Sequence, residues 1–302
     1  SSVFDFTRRL GAHQLVNKRL LEHLILAGAF DSLHDNRRRC FESLEAAIGY
    51  GHAWAEQRSS GMDSLFAAGG AEAEEAMIPE PAMEEVQDWV PLEKLNRERS
   101  VLDFYVSGHP LDPHTLEAET FSDLNFGNLP EEIDTTRPVK VCGIVTSIRT
   151  KLDRRENQFA IVGIEDFTGK AECIFWSEAW RRNASLVTEG SILFVSGRPE
   201  VEGADRLRIV ADEVVPIDKA IEKFARGLSI NIPLDRVDPS AAEATAKLFD
   251  NHAGGVQCIF RLYDHEGSLC GKYVARGRTV TPSRDLVDEL ALIYDPDNIR
   301  LS

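Results

Sequence analysis

At Arg137 the hydrophobic rhythm of this chain changes, and that change limits the fold more than any other feature. Before it, apolar residues recur at helical spacing. After it, Val139, Val141, Gly143 and Val145 alternate with other residues, the two-residue period of a strand. The same period marks 159–165, 171–176, 191–197 and 207–215. Turn signals stand at Asp166-Phe-Thr-Gly169 and Glu202-Gly203, and a short helix fits over 177–187. Five short strands with one helix after the third is the order of an OB-fold, a small partly open barrel. Beyond Ala220 the pattern predicts strand 228–233, helix 240–252, strands 255–263 and 269–276, helix 283–294 and a short strand 298–301. Gly267-Ser-Leu-Cys-Gly271 reads as a hairpin turn there. The expected architecture is multidomain α+β: an N-terminal helical segment, a central OB-fold β-barrel and a small C-terminal α+β domain.

The first part reads as paired helices. Val16, Leu20, Leu21, Leu24 and Ile25 form one apolar face closed by Gly28, and Asn36 can cap a helix running through Phe41, Leu44, Ala47 and Ile48. From Gln57 to Val90 the period fails and the composition is that of a linker, with Leu65-Phe66 an isolated apolar pair. Leu92, Leu95, Leu102 and Val106 then mark an amphipathic helix, with Gly108 as its left-handed end and Pro110 as its stop. The expected segments are 1–56 helical, 57–90 flexible linker, 91–136 helical connector, 137–218 barrel and 219–302 C-terminal domain.

A net charge of −16 would argue against a polyanion-binding protein if it were evenly spread, but positions 67–136 alone hold 17 acidic residues against 3 basic. Basic loops elsewhere remain free to meet phosphate. Cys40, Cys142, Cys173, Cys258 and Cys270 lie far apart with no Cys-x-x-Cys pair, which fits reduced thiols in the cytoplasm and no zinc site or disulfide framework. No apolar run approaches the ~20 residues of a membrane span, and no leader pattern opens the chain. It starts Ser-Ser-Val without Met, which fits a fragment.

No catalytic or metal-binding constellation stands out. His109-Pro110 reads as a turn beyond a helix end. Glu165-Asp166, the one strand-end carboxylate pair worth naming, reads as a turn rather than a two-metal site. The barrel carries a better argument. OB barrels hold single strands with cations for phosphates and rings for bases, on strands 2 and 3 and the adjoining loops. The first such loop offers Arg149, Lys151, Arg154 and Arg155, and Phe159, Phe175 and Trp176 lie on the strands that follow. Each ring has a competing placement in the barrel core. Asp153 and Glu156 dilute the basic loop, so modest, salt-sensitive binding is expected.

Several strings also resemble the alpha-subunit family of bacterial DNA polymerase III. Asn17-Lys-Arg-Leu-Leu-Glu-His-Leu-Ile-Leu-Ala-Gly-Ala-Phe-Asp-Ser-Leu33 is similar to the helices that follow its helix-hairpin-helix region. Arg97-Glu-Arg-Ser-Val-Leu, followed by Phe104-Tyr-Val-Ser-Gly-His-Pro-Leu-Asp112, is similar to a signature of that family. Gly61-Met-Asp-Ser-Leu-Phe66 resembles its sliding-clamp peptide, with Met62 where the family usually has Gln, Asp63 where Leu is frequent, and Ser64, Leu65 and Phe66 matching. The order of these strings, the barrel and the last domain is that of the family's C-terminal third. The resemblance implies a non-catalytic part of a replicative DNA-directed DNA polymerase, starting at or just after the end of the hairpin region. Its implied partners are single-stranded template DNA, the sliding clamp, the tau subunit of the clamp loader (by position alone) and the remainder of the alpha subunit. No cofactor is implied here, since the catalytic carboxylates and their Mg2+ belong to an upstream palm. A stand-alone OB-fold nucleic-acid-binding protein and an error-prone polymerase paralogue are the alternatives.

Overall fold

The computed structural model describes residues 2–11, 17–67, 78–202 and 206–302. The chain forms two compact units, Ser1–Pro110 and Leu111–Ser302.

The first unit is helical: α1 (Val3–Gly11), α2 (Lys18–Leu26), α3 (Arg37–Glu42), α4 (Leu44–Ala67) and α5 (Pro91–Leu102). Asn17 and Asn36 cap α2 and α3, their side-chain oxygens accepting from the amides of Leu20 and Arg39, each at 2.8 Å. Val3, Phe4, Leu21, Ile25, Cys40, Leu44 and Ala47 make the core. The apolar run expected as one helix through Ile48 is broken at Ser43, whose hydroxyl donates back to the Arg39 carbonyl at 2.9 Å.

The linker expected over 57–90 is corrected at both ends. Helix α4 continues to Ala67. Residues 78–90, although without regular structure, are tied to the helices. Val86 and Met83 accept through their carbonyls from Asn36 and Arg39 at 2.6 and 3.2 Å, and Asp88 accepts from the Arg38 amide at 3.0 Å. Trp89 is buried, edge-on to Phe41 at 5.5 Å, with the Arg97 guanidinium 4.2 Å from its ring centre. Specific hydrogen bonds and one large ring, rather than a periodic pattern, anchor this segment.

Helix α5 stops at Leu102, not at Gly108, because Asp103 already takes the left-handed conformation (φ 66°). Val106 is therefore exposed beyond the helix rather than on its apolar face. The turn that follows serves an ionic knot. Glu98 is fully buried and accepts from the amides of Val106 and Ser107 at 2.6 and 2.9 Å, from the Ser107 hydroxyl, and from Arg37 at 2.8 Å. Arg37, 3% exposed, also pairs with Asp31 at 2.7 Å and donates to the Leu26 carbonyl at 3.1 Å. Gly28 (φ +80°) makes room, since a Cβ there would stand 2.3 Å from the Arg37 Nη2. The Ala27–Leu33 string and the Ser107–Pro110 string thus meet on one guanidinium. Burial alone would raise the Glu98 carboxyl, but the Ser107, Val106 and Arg37 donors outweigh it and lower it to about 2.

The second unit holds a closed barrel in the order β1-β2-β3-β5-β4, built from β1 (Val139–Leu152), β2 (Gln158–Glu165), β3 (Lys170–Phe175), β4 (Ile192–Glu202) and β5 (Arg206–Pro216). Antiparallel ladders join all neighbours except β3 and β5, which run parallel over Glu172–Ile174 against Arg208–Val210. Between β3 and β4 lies α7 (Ser177–Asn183). Val141, Val145, Ala160, Val162, Ile164, Cys173, Phe175, Leu193, Val195 and Ile209 fill the interior.

Before the barrel comes α6 (Thr115–Phe121). After it come α8 (Ala220–Phe224) and a sheet ordered β8-β7-β6-β9. That sheet comprises β6 (Leu228–Pro233), β7 (Ala253–Tyr263), β8 (Leu269–Val280) and β9 (Ile299–Leu301), with α9 (Pro239–Asn251) and α10 (Arg284–Tyr294). Its elements follow the predicted order, the Gly267 hairpin (φ +79°) included. The expected split at 218/219 is not a break in packing. Cys142 and Phe194, partners across β1 and β4, share one core with Phe121, Ile221, Leu228, Ile230, Phe249 and Leu286. The connector expected over 91–136 is divided as well, α5 belonging to the first unit and α6 to the second. Arg284 secures α6 by pairing with the buried Glu117 at 2.8 Å.

Candidate nucleic-acid interface

The start of β1 and part of β4 are covered by the core shared with the last sheet, whereas the second half of β1, β2 and β3 present an outward side to solvent. Strand alternation assigns its residues. Ala160, Val162 and Ile164 point inward, so Phe159, Ile161 and Gly163 point out. On β3, Ala171, Cys173 and Phe175 point in, so Glu172 and Ile174 point out.

Register arranges these residues in three rows, each roughly 7 Å from the next. The first is Ser147, Gly163, Glu172 and Arg208. The second is Arg149, Ile161, Ile174 and Val210. The third begins Lys151, Phe159 and continues with Trp176, whose ring lies 5.1 Å from that of Phe159 at a 34° tilt. Trp176 is 49% exposed, so the pair is an open aromatic platform at the edge of the face.

Of the three rings singled out in the sequence, Phe175 does not belong. It is fully buried inside the barrel, packed edge-on to Trp180 at 6.0 Å. Phe175 ends β3 and Trp176 follows it in extended conformation, so the two have opposite parity, and period two decides the matter.

The basic loop stands beside the aromatic row. Asp153 organises it rather than merely diluting its charge, accepting from the amides of Arg155 and Asn157 at 2.7 and 2.8 Å. The Asn157 amide is the main reason its carboxyl is held below the usual range. Glu156 takes a left-handed φ of 61° to close the turn. Arg154 and Arg155 sit exposed at the tip, and Arg149 and Lys151 on the strand below them. The loop between β4 and β5 includes 203–205, outside the described residues.

Sequence reasoning missed Ile161, Gly163, Glu172, Ile174 and Arg208. The alternation on β2 and β3 was the available signal for the first four. Arg208 required the β3–β5 pairing. Glu172 matters most, since it pairs with Arg149 at 2.7 Å and with Arg208 at 3.7 Å.

Glu165-Asp166 does not fit a metal site. Asp166 accepts from the Phe126 amide at 2.8 Å, from the amide and hydroxyl of Thr168, and from the Gly169 amide, while Glu165 pairs with Lys170 at 3.7 Å. Beyond its helix, His109 meets Tyr105 edge-on at 5.3 Å. Met62, Asp63, Ser64, Leu65 and Phe66 fall within the end of α4, and their side chains lie outside the described residues. No described helix is long and apolar enough to cross a membrane.

Comparison with known proteins bears on both units. Residues 139–217 match the OB-fold nucleic acid binding domain, and residues 1–40 match a helix-hairpin-helix motif. The DNA polymerase III subunit alpha of Vibrio cholerae is 30% identical over 99% of this chain and 26% of its own length. That of Borreliella burgdorferi is 33% identical over 96% and 25%, and that of Escherichia coli K12 is 27% identical over 99% and 26%. The chain therefore spans about a quarter of the length of these relatives.

Proposed function

From a chain related along its whole length to the C-terminal region of the bacterial DNA polymerase III alpha subunit, we propose a DNA-holding part of a replicative DNA polymerase that performs no nucleotide transfer itself. The observation that carries this reading is the barrel's outer face. A platform of half-buried Phe159 and exposed Trp176 stands next to Arg149 and Lys151, with Arg154 and Arg155 at the adjoining loop tip. Bases stack on the rings while the cations follow the phosphates, a mode suited to a single-stranded template of any sequence.

Two further roles rest on the family likeness. Residues 62–66 are the candidate sliding-clamp peptide. A helical turn there must open for Leu65 and Phe66 to enter a clamp pocket, and tethering would then raise the polymerase concentration at the primer end. The sheet after Ala220 is the candidate tau contact. Catalysis belongs to the parent's upstream palm and its Mg2+, and the assembled protein works in the bacterial cytoplasm.

The test is to titrate this chain with a labelled oligo(dT) over a salt series and to assay it for primer extension with Mg2+ and deoxynucleotides. Salt-dependent binding without extension is expected. Extension by the chain alone, or no oligo(dT) binding at low salt, would overturn the reading.

A further inference from the structure

The first row of the barrel face carries an acid. Glu172 is the outward residue of β3 opposite Gly163 on one side and Arg208 on the other. One carboxylate oxygen lies 2.7 Å from Arg149 and the other 3.7 Å from Arg208. Two of the cations best placed to meet a phosphate on this face are thereby occupied. Beside them runs a groove of about 340 Å³, lined by Ser147, Gly163, Lys170, Glu172 and Arg208 among others. Gly163 keeps it open, since a Cβ there would stand 2.7 Å from the Ser147 Oγ.

We propose that Glu172 is a displaceable latch. It holds Arg149 and Arg208 until a phosphodiester takes its place, and so sets how tightly, and at what salt, the face accepts a single strand. This rests on the reading of the face as a single-strand interface. The exchange is chemically matched: the two Glu172 oxygens face Arg149 and Arg208 separately, and a phosphate likewise offers oxygens to guanidinium donors. It is also cheap, because the Glu172 and Arg149 side chains are 43% and 58% exposed and such pairs are weak. A purely structural staple is the less apt role. Hydrogen-bonded ladders already hold β1 to β2, with one register shift between Val145 and Ser147, and β2 to β3.

The experiment is oligo(dT) titration of the full chain, its Glu172→Gln variant, and Glu172→Gln combined with Arg149→Ala and Arg208→Ala, with thermal melts to confirm folding. Glu172→Gln is expected to bind on the order of fivefold more tightly at low salt, with a log–log salt slope steeper by about 1. The gain should vanish in the triple variant. Trp176→Ala is run alongside. If it weakens binding while Glu172→Gln leaves affinity unchanged or lower, the latch is wrong and the single-strand reading stands. A gain that survives loss of both arginines would mean a general charge effect and also overturns the latch. If neither the parent chain nor Glu172→Gln binds oligo(dT), the reading of the face fails and takes the latch with it.

Discussion

Two arginine–glutamate pairs of nearly equal length do opposite work in this molecule. Arg37 and Glu98 meet at 2.8 Å with side chains 3% and 0% exposed. Arg149 and Glu172 meet at 2.7 Å with 58% and 43% exposed. The buried pair cannot exchange partners, because water and mobile anions do not reach it and its remaining valences are spent on Ser107, Val106, Asp31 and the Leu26 carbonyl. It fixes the helical unit. The exposed pair competes with every anion in solution and fixes little. Distance alone therefore says nothing about the role of an ion pair; the number of desolvated partners does.

The largest effect that would sharpen this contrast is on stability. Glu98→Gln removes the fully buried carboxylate of the knot, leaving Arg37 with Asp31, and should cost about 3 kcal/mol, whereas Glu172→Gln should cost under about 1 kcal/mol. Urea unfolding of the two variants gives the comparison, and equal losses would break it.

Acid should act next. The folded Glu98 carboxyl is held at about 2 against an ordinary 4.5. Its contribution is complete above about pH 4.5 and declines as the pH falls toward 2. Protection factors for hydrogen exchange along α5, taken against the intrinsic rate at each pH, should fall over that window, and Glu98→Gln should flatten the dependence. The smallest effect is expected at the loop: Arg154→Ala with Arg155→Ala should weaken oligo(dT) binding severalfold and reduce its salt slope by about 1. Unchanged affinity would remove the loop from the interface.

Much of the fold was legible because period is a strong signal wherever one face is buried. The strands, the single helix after the third, and the elements after Ala220 follow directly from alternating or helical spacing. Segments held by single contacts were not legible. Residues 78–90 carry no period, and their order depends on Asn36, Arg38 and Arg39 reaching across from α3. Asp103 in a left-handed conformation is uncommon enough that Gly108 was the natural helix end. Of the residues named by type and position, Arg149, Lys151 and Phe159 lie on the outer face, Trp176 beside it, and Arg154 and Arg155 at the loop tip. Phe175 was misplaced because residue type was weighed ahead of parity, and Glu172 went unnoticed because its partners come from β1 and β5, distant in sequence.

The most direct test of the central claim is the affinity of Trp176→Ala for oligo(dT), measured beside the parent chain at one low salt concentration. Loss of one stacking ring should weaken binding about tenfold or more with the thermal melt unchanged, since the indole is half exposed. Binding equal to that of the parent would contradict the account, because the Phe159–Trp176 platform would then lie outside the path of the strand.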